Sequence, residues 1–215
     1  LQATNNLIVT SAGQIVHSGT ITSTDKKNGL ISVATTGAGA AADIAVSGTI
    51  NSYGLINVDS GNDLKLTAKD ITLNYDATTK NSTALIVNAK GNLNLASGTN
   101  ISNLSTDGDL YIDAKNINLA ANSQVLSNRG SATMNAGESL VSNNTANLIA
   151  AKDLNLTANK DLKLLGSALQ ASTGSINVQS TAADAQLIQV DGGTLYAGKD
   201  FNVYGTGDVS LKNLS

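Results

Sequence analysis

The sequence contains no cysteine, no proline and no tryptophan, and only 3% of its 215 residues are aromatic. Without cysteine there is no disulfide scaffold and no Cys-ligated zinc or iron–sulfur centre. Charged residues make up 13%, about half the share of an ordinary globular domain. The net charge of −3 and a pI near 4.9 leave no basic footprint for nucleic acid. No apolar run approaches the roughly 18 residues that a membrane helix needs. Histidine and arginine occur once each, as His17 and Arg129.

Polarity comes instead from Ser, Thr, 26 Asn and 20 Gly. Such a composition often signals disorder, but here the apolar residues are regularly placed. One unit recurs: a small or polar residue, then apolar–x–apolar, then any residue and a small one. It reads Asp63-Leu64-Lys65-Leu66-Thr67-Ala68 and returns from Leu85, Leu110, Ala132, Leu154, Ile176 and, more loosely, Phe201. Those first apolar positions are separated by 21, 25, 22, 22, 22 and 25 residues. Within a period a second pair follows, as Ile117-x-Leu119 follows Leu110-x-Ile112, and a third apolar position comes near Ile101, Val125 and Leu169.

Alternation over three to five residues is the strand period. The Gly, Asn and Asp between runs suit tight corners. Short strands, two or three per repeat and without helical segments, predict an all-β fold: a right-handed parallel β-helix (β-solenoid) of roughly nine to ten coils at about 22 residues each. Missing proline fits, because every strand amide is needed for pairing between coils. The Asn-rich corners are expected to stack as hydrogen-bonded ladders. Two stretches break the rhythm. Asn74 to Thr83 reads as a loop or an extra hairpin leaving the rod, and Thr35 to Asp43 as a lengthened corner. No linker divides residues 1–215, which read as one domain. With Leu1 first and no signal-peptide pattern, the chain reads as a piece of a longer filament.

The stretch from Asn147 to Ala171, NLIAAKDLNLTANKDLKLLGSALQA, resembles the haemagglutinin repeats of filamentous haemagglutinin-type exoproteins. Ala197 to Gly205 carries the same A-G-x-D-Φ-x-Φ signature, and the resemblance runs from about Gly61 to Leu211. It implies a large bacterial exoprotein exported by a two-partner-secretion outer-membrane transporter and displayed at the cell surface. Family members include host-cell adhesins and effectors of contact-dependent growth inhibition, which carry a terminal toxin. The family's secretion domain has Asn-Pro motifs that this chain does not match, and no toxin-like segment is visible. The segment therefore reads as shaft.

Polysaccharide-active enzymes also use parallel β-helices, but they need clustered Asp for calcium with Arg or Lys as base. Here Arg129 lies in a corner and reads as a solvated turn residue, and His17 as a surface or strand-end residue. No nucleophile–base pair can be set from spacing. The repeated G-G-x-G-x-D of a calcium roll is missing, so Asp109, Asp191 and Asp208 read as turn residues. No catalytic, metal or cofactor residue is assigned, and no enzyme activity is expected. Lys26-Lys27 reads as a solvated turn. Tyr75, at the start of the long loop, and Tyr111, at an outward strand position, are the candidate binding surface for a target-cell receptor or glycan. The competing reading of each is a solvent-facing residue suited to a strand.

Overall fold

A computed structural model describes residues 1–67, 70–181 and 187–215 of the chain. Among these residues it contains 25 strands and one short 3-10 turn, Gly39–Ala42. The strands pair in parallel with the equivalent strands of adjacent coils. Three faces result. The first runs from Asn6–Ser11 to Phe201–Tyr204, the second from Ile15–His17 to Asp208–Lys212, and the third from Gln2–Ala3 to Leu195–Ala197.

On the first face Leu7, Ile31, Ile56, Leu85, Leu110, Ala132, Leu154, Ile176 and Phe201 form one inward column. The nine positions define eight turns, fewer and longer than the sequence spacing suggested, with a mean period of about 24 residues. Leu64 is not in this column. It stacks on Ile44 and Leu93 in the second face, whereas Leu85 stacks on Ile56. The sequence step from 64 to 85 thus compares two faces, because both carry the same apolar–x–apolar motif. The coil from Ile56 to Leu85 is the longest, since it contains the irregular stretch after Leu73.

Alternation dictates the core. In Leu154–Ala158 the residues Leu154, Leu156 and Ala158 are buried and Asn155 and Thr157 are partly exposed, and Ala132–Ala136 and Ile176–Ser180 repeat this. Each fully buried Leu or Ile contributes roughly 1.5–3 kcal/mol, so stability accumulates coil by coil. Leu85–Leu95 and Leu110–Leu119 run unbroken through the first and second faces. Their register shifts between Ala89 and Asn92, where one strand holds an extra residue. Such a bulge bends the strand.

Close approach at the corners requires glycine. A Cβ at Gly193 would lie 2.1 Å from the Ser167 carbonyl oxygen, and the residue has φ +87°. The Thr35 to Asp43 zone is a lengthened corner holding the 3-10 turn, whose last residue, Ala42, is buried. No strand forms between Leu73 and Leu85, so the long insertion is a loop and not a hairpin.

Candidate functional site

The inserted loop folds against its corner. Asp76 and Asn81 are buried. The Asp76 carboxylate accepts the backbone N–H groups of Thr78 and Thr79 and pairs with Lys26 at 2.7 Å. The Asn81 amide donates to the carbonyls of Tyr53 and Asn74, while its oxygen accepts the Asp76 N–H. The Lys26 ammonium and the Thr79 amide hold the Asp76 carboxyl down at about 2. Lys26 also lies 5.7 Å from the centroid of the Tyr53 ring. Lys26 remains an exposed turn residue, as the sequence suggested, and in addition clamps two coils, because the loop returns a carboxylate to it.

The two candidate tyrosines occupy different surroundings. Tyr75 is half-buried, and the Arg129 guanidinium lies 4.2 Å from its ring centroid. Arg129 is an exposed corner residue, as expected, and in addition stacks across corners onto an aromatic face. Tyr111 is 39% exposed and donates its hydroxyl to Asp109, whose carboxylate raises the phenol's pKa. It lines a hollow of about 220 Å³ with Ser82, Thr83 and Asp107, which does not include Tyr75. Tyr196 and Tyr204 are more exposed, at 58% and 57%. His17 is half-buried at the end of Ile15–His17, and its Nε2 has no hydrogen-bond partner. Among the described residues no three His, Asp or Glu side chains converge as metal ligands.

The acidic residue of the repeat has a defined task. Asp109 Oδ1 accepts the Ser131 N–H and Asp153 Oδ1 accepts the Ser175 N–H, each at 2.8 Å. Asp43 and Asp63 do the same on the second face, for the N–H groups of Asp63 and Asn92. Each carboxylate thus grips the backbone of the following coil, just before the strand or, for Asn92, at the bulge within Leu85–Leu95, a role that spacing within one coil does not reveal. Asparagine ladders also form. Asn177 donates to Asn155 and Asn202 to Asn177. These lie on the outward strand face, while Asn74, at a corner, donates to Asn51 of the preceding coil.

A feature that the sequence did not indicate is a groove of about 760 Å³ at the bend between the first and second faces. Ala89, Ala114 and Ala136, each nearly buried, lie at its base. Asp59, Asn88 and Asp113 stand on one side, with Lys90, Lys115 and Glu138 on the other. Glu138 accepts from Lys160 at 3.2 Å and lies 3.8 Å from Lys115, which together hold its carboxyl below the usual range. Its signal was the Ala column after each apolar pair, visible only once coils are in register.

Parallel coils stacked in register, with Asp43, Asp63, Asp109 and Asp153 each gripping the coil that follows, define a β-solenoid. The family model described as Hemagglutinin repeat matches residues 54–186, and the chain belongs to that family, which is structural and adhesive. No curated protein and no solved structure matches. The match starts before Gly61 and stops short of Leu211, although the coil pairing continues through Phe201–Tyr204 and Asp208–Lys212. Among the described residues no helix is long and apolar enough to cross a membrane.

Proposed function

We propose that this chain is one segment in the shaft of a large secreted bacterial surface exoprotein, a rigid spacer that carries adhesin or toxin ends away from the cell. The observation that supports this reading most is the unbroken inward column from Leu7 to Phe201, in which each strand is satisfied only by its neighbours. The parent protein would leave the cell through a two-partner-secretion transporter in the outer membrane. Coils that add one at a time outside the cell would help draw the chain through. No catalytic role is part of this reading: His17 and Arg129, the one histidine and the one arginine, belong to different coils, and the arginine is engaged with Tyr75.

The test is saturable binding of the labelled chain to intact bacteria and to epithelial cells, with Tyr75→Ala and Tyr111→Ala alongside. Absence of saturable binding to either cell type fits a shaft. Binding lost in one of the variants would instead make the segment a receptor- or glycan-binding module at the Asn74 to Thr83 corner. Unaided refolding of the purified chain is the outcome expected of coil-by-coil export, and a requirement for a chaperone would count against it.

A further inference from the structure

We infer that the groove between the first and second faces is a binding site for an uncharged, extended, β-linked oligosaccharide. The inference goes beyond the shaft reading and does not depend on it, since a shaft that binds nothing keeps the role given above.

Direction and length come first. The lining residues belong to five successive coils, from Asp59 to Thr157, so the groove follows the rod axis. Four coil steps of roughly 4.8 Å span about 19 Å. Polar side chains (Asp59, Asn88, Asp113, Asn135 and Thr157) therefore recur at the strand spacing, and in the ribbon form of a β-1,4-linked sugar chain successive rings advance by nearly the same interval, each flipped relative to the last. One sugar would meet each coil. A curled α-linked chain would leave the line of the groove.

Charge selects next. Within the lining, Asp59, Asp113 and Glu138 oppose Lys90 and Lys115, and Lys160 pairs with Glu138 from beside the groove. The signs balance, so neither a polyanion nor a polycation is drawn in by the field. A peptide is disfavoured for a different reason. It would cross the strands, whose amides already bond the neighbouring coils, and its own backbone groups would go unpaired. Sugar hydroxyls can use side chains alone, each acting as donor and acceptor.

Finally, part of the lining is unspent. Among the described residues the side chains of Asp59, Asn88 and Lys90 make no hydrogen bond or ion pair, although Asp59 and Asn88 are only partly exposed. On the other coils of the groove Asn135 is tied to Asp113 and Lys115 to Glu138, and elsewhere along the rod outward asparagines such as Asn177 and Asn118 are tied into ladders. Acceptor, amide and ammonium on adjacent coils are what a hydroxylated polymer requires, and the nearly buried alanines give its ring faces an apolar base.

Titration calorimetry of the chain with chitohexaose and cellohexaose, beside maltohexaose and heparin, tests this. Saturable binding is expected for at least one β-linked hexamer and not for maltohexaose or heparin. Asn88→Ala and Lys90→Ala should each weaken it by about tenfold, as for loss of one charge-assisted or amide hydrogen bond. Their circular dichroism and melting temperature should stay those of the parent chain, since both side chains lie outside the core. No saturable binding of either β-linked hexamer by the folded chain, equal binding of heparin, or affinity unchanged in both variants would overturn the proposal.

Discussion

Two stretches of the same rod are built to different tolerances. From Ala132 to Ser180 three strands of the first face follow at an identical 22-residue step, and their outward residues bond to the equivalents in the next coil. From Leu30 to Leu110 the corresponding strands lie 25, 29 and 25 residues apart. The register of inward residues is nonetheless continuous through both. Most of the extra length is placed at corners, in the Gly39–Ala42 turn and the loop after Leu73, because a residue added within a strand would turn its apolar set outward, and the one residue added inside Leu85–Leu95 is absorbed as a bulge at the bend between two faces. Where the corner grows, it also acquires partners. Lys26, Tyr53, Asp76 and Asn81 hold the loop down with an ion pair and buried hydrogen bonds that the regular stretch does not need.

The sharpest way to break this contrast is a one-residue insertion. Placed between Asn155 and Leu156 it moves the strand out of register with both neighbours, and the regular stretch should fail to fold, as read by circular dichroism and by proteolysis. The same insertion between Arg129 and Gly130 lengthens only a corner, and the melting transition should survive. Closing a slightly longer loop costs well under about 1 kcal/mol. Equal damage from both insertions would show that corners are as constrained as strands.

Next in size is the core. Leu156→Ala removes an inward side chain that is wholly buried between Met134 and Val178. A loss of about 2–5 kcal/mol is expected from chemical denaturation, as for other buried leucines. Asp153→Ala tests the acidic grip of the repeat. It leaves the Ser175 N–H without its acceptor, and a loss of about 1–3 kcal/mol is expected. Asp153→Asn, which keeps an acceptor oxygen, should recover most of it.

Much of this was legible in the sequence. The alternation in Leu110–Leu119 and the identical steps from Leu110 to Ile176 reveal strands, coils and the inward columns. What misled was the repeat's own self-similarity: Leu64-x-Leu66 and Leu85-x-Val87 look like successive copies, yet they lie on different faces. Interactions that cross coils were hidden for a related reason. Asp76 reaches Lys26 across fifty residues, and Arg129 reaches Tyr75 across a similar gap, so neither pair has a spacing that marks it. The groove needs the register of five coils before its alanines and charged side chains converge.

The smallest effect expected is also the one that separates the two stretches most cleanly. Asp76 keeps its carboxylate ionised to about pH 2 because Lys26 and the Thr79 amide stabilise the charged form. An unfolded aspartate titrates near 3.9. A depressed folded value means that this contribution is complete above about pH 4 and is lost as the pH falls toward 2. The inserted loop should therefore loosen in that window ahead of the rest of the rod. Hydrogen exchange at Thr78 and Thr79 should quicken between pH 4 and 2, relative to its intrinsic acid dependence, while the strand amides of Leu154–Ala158 stay protected. Asp76→Asn should abolish the transition and leave the loop equally loose at both pH values. If the loop and the strands lose protection together, the corner is not a separate unit, and the difference between the two stretches is one of length alone.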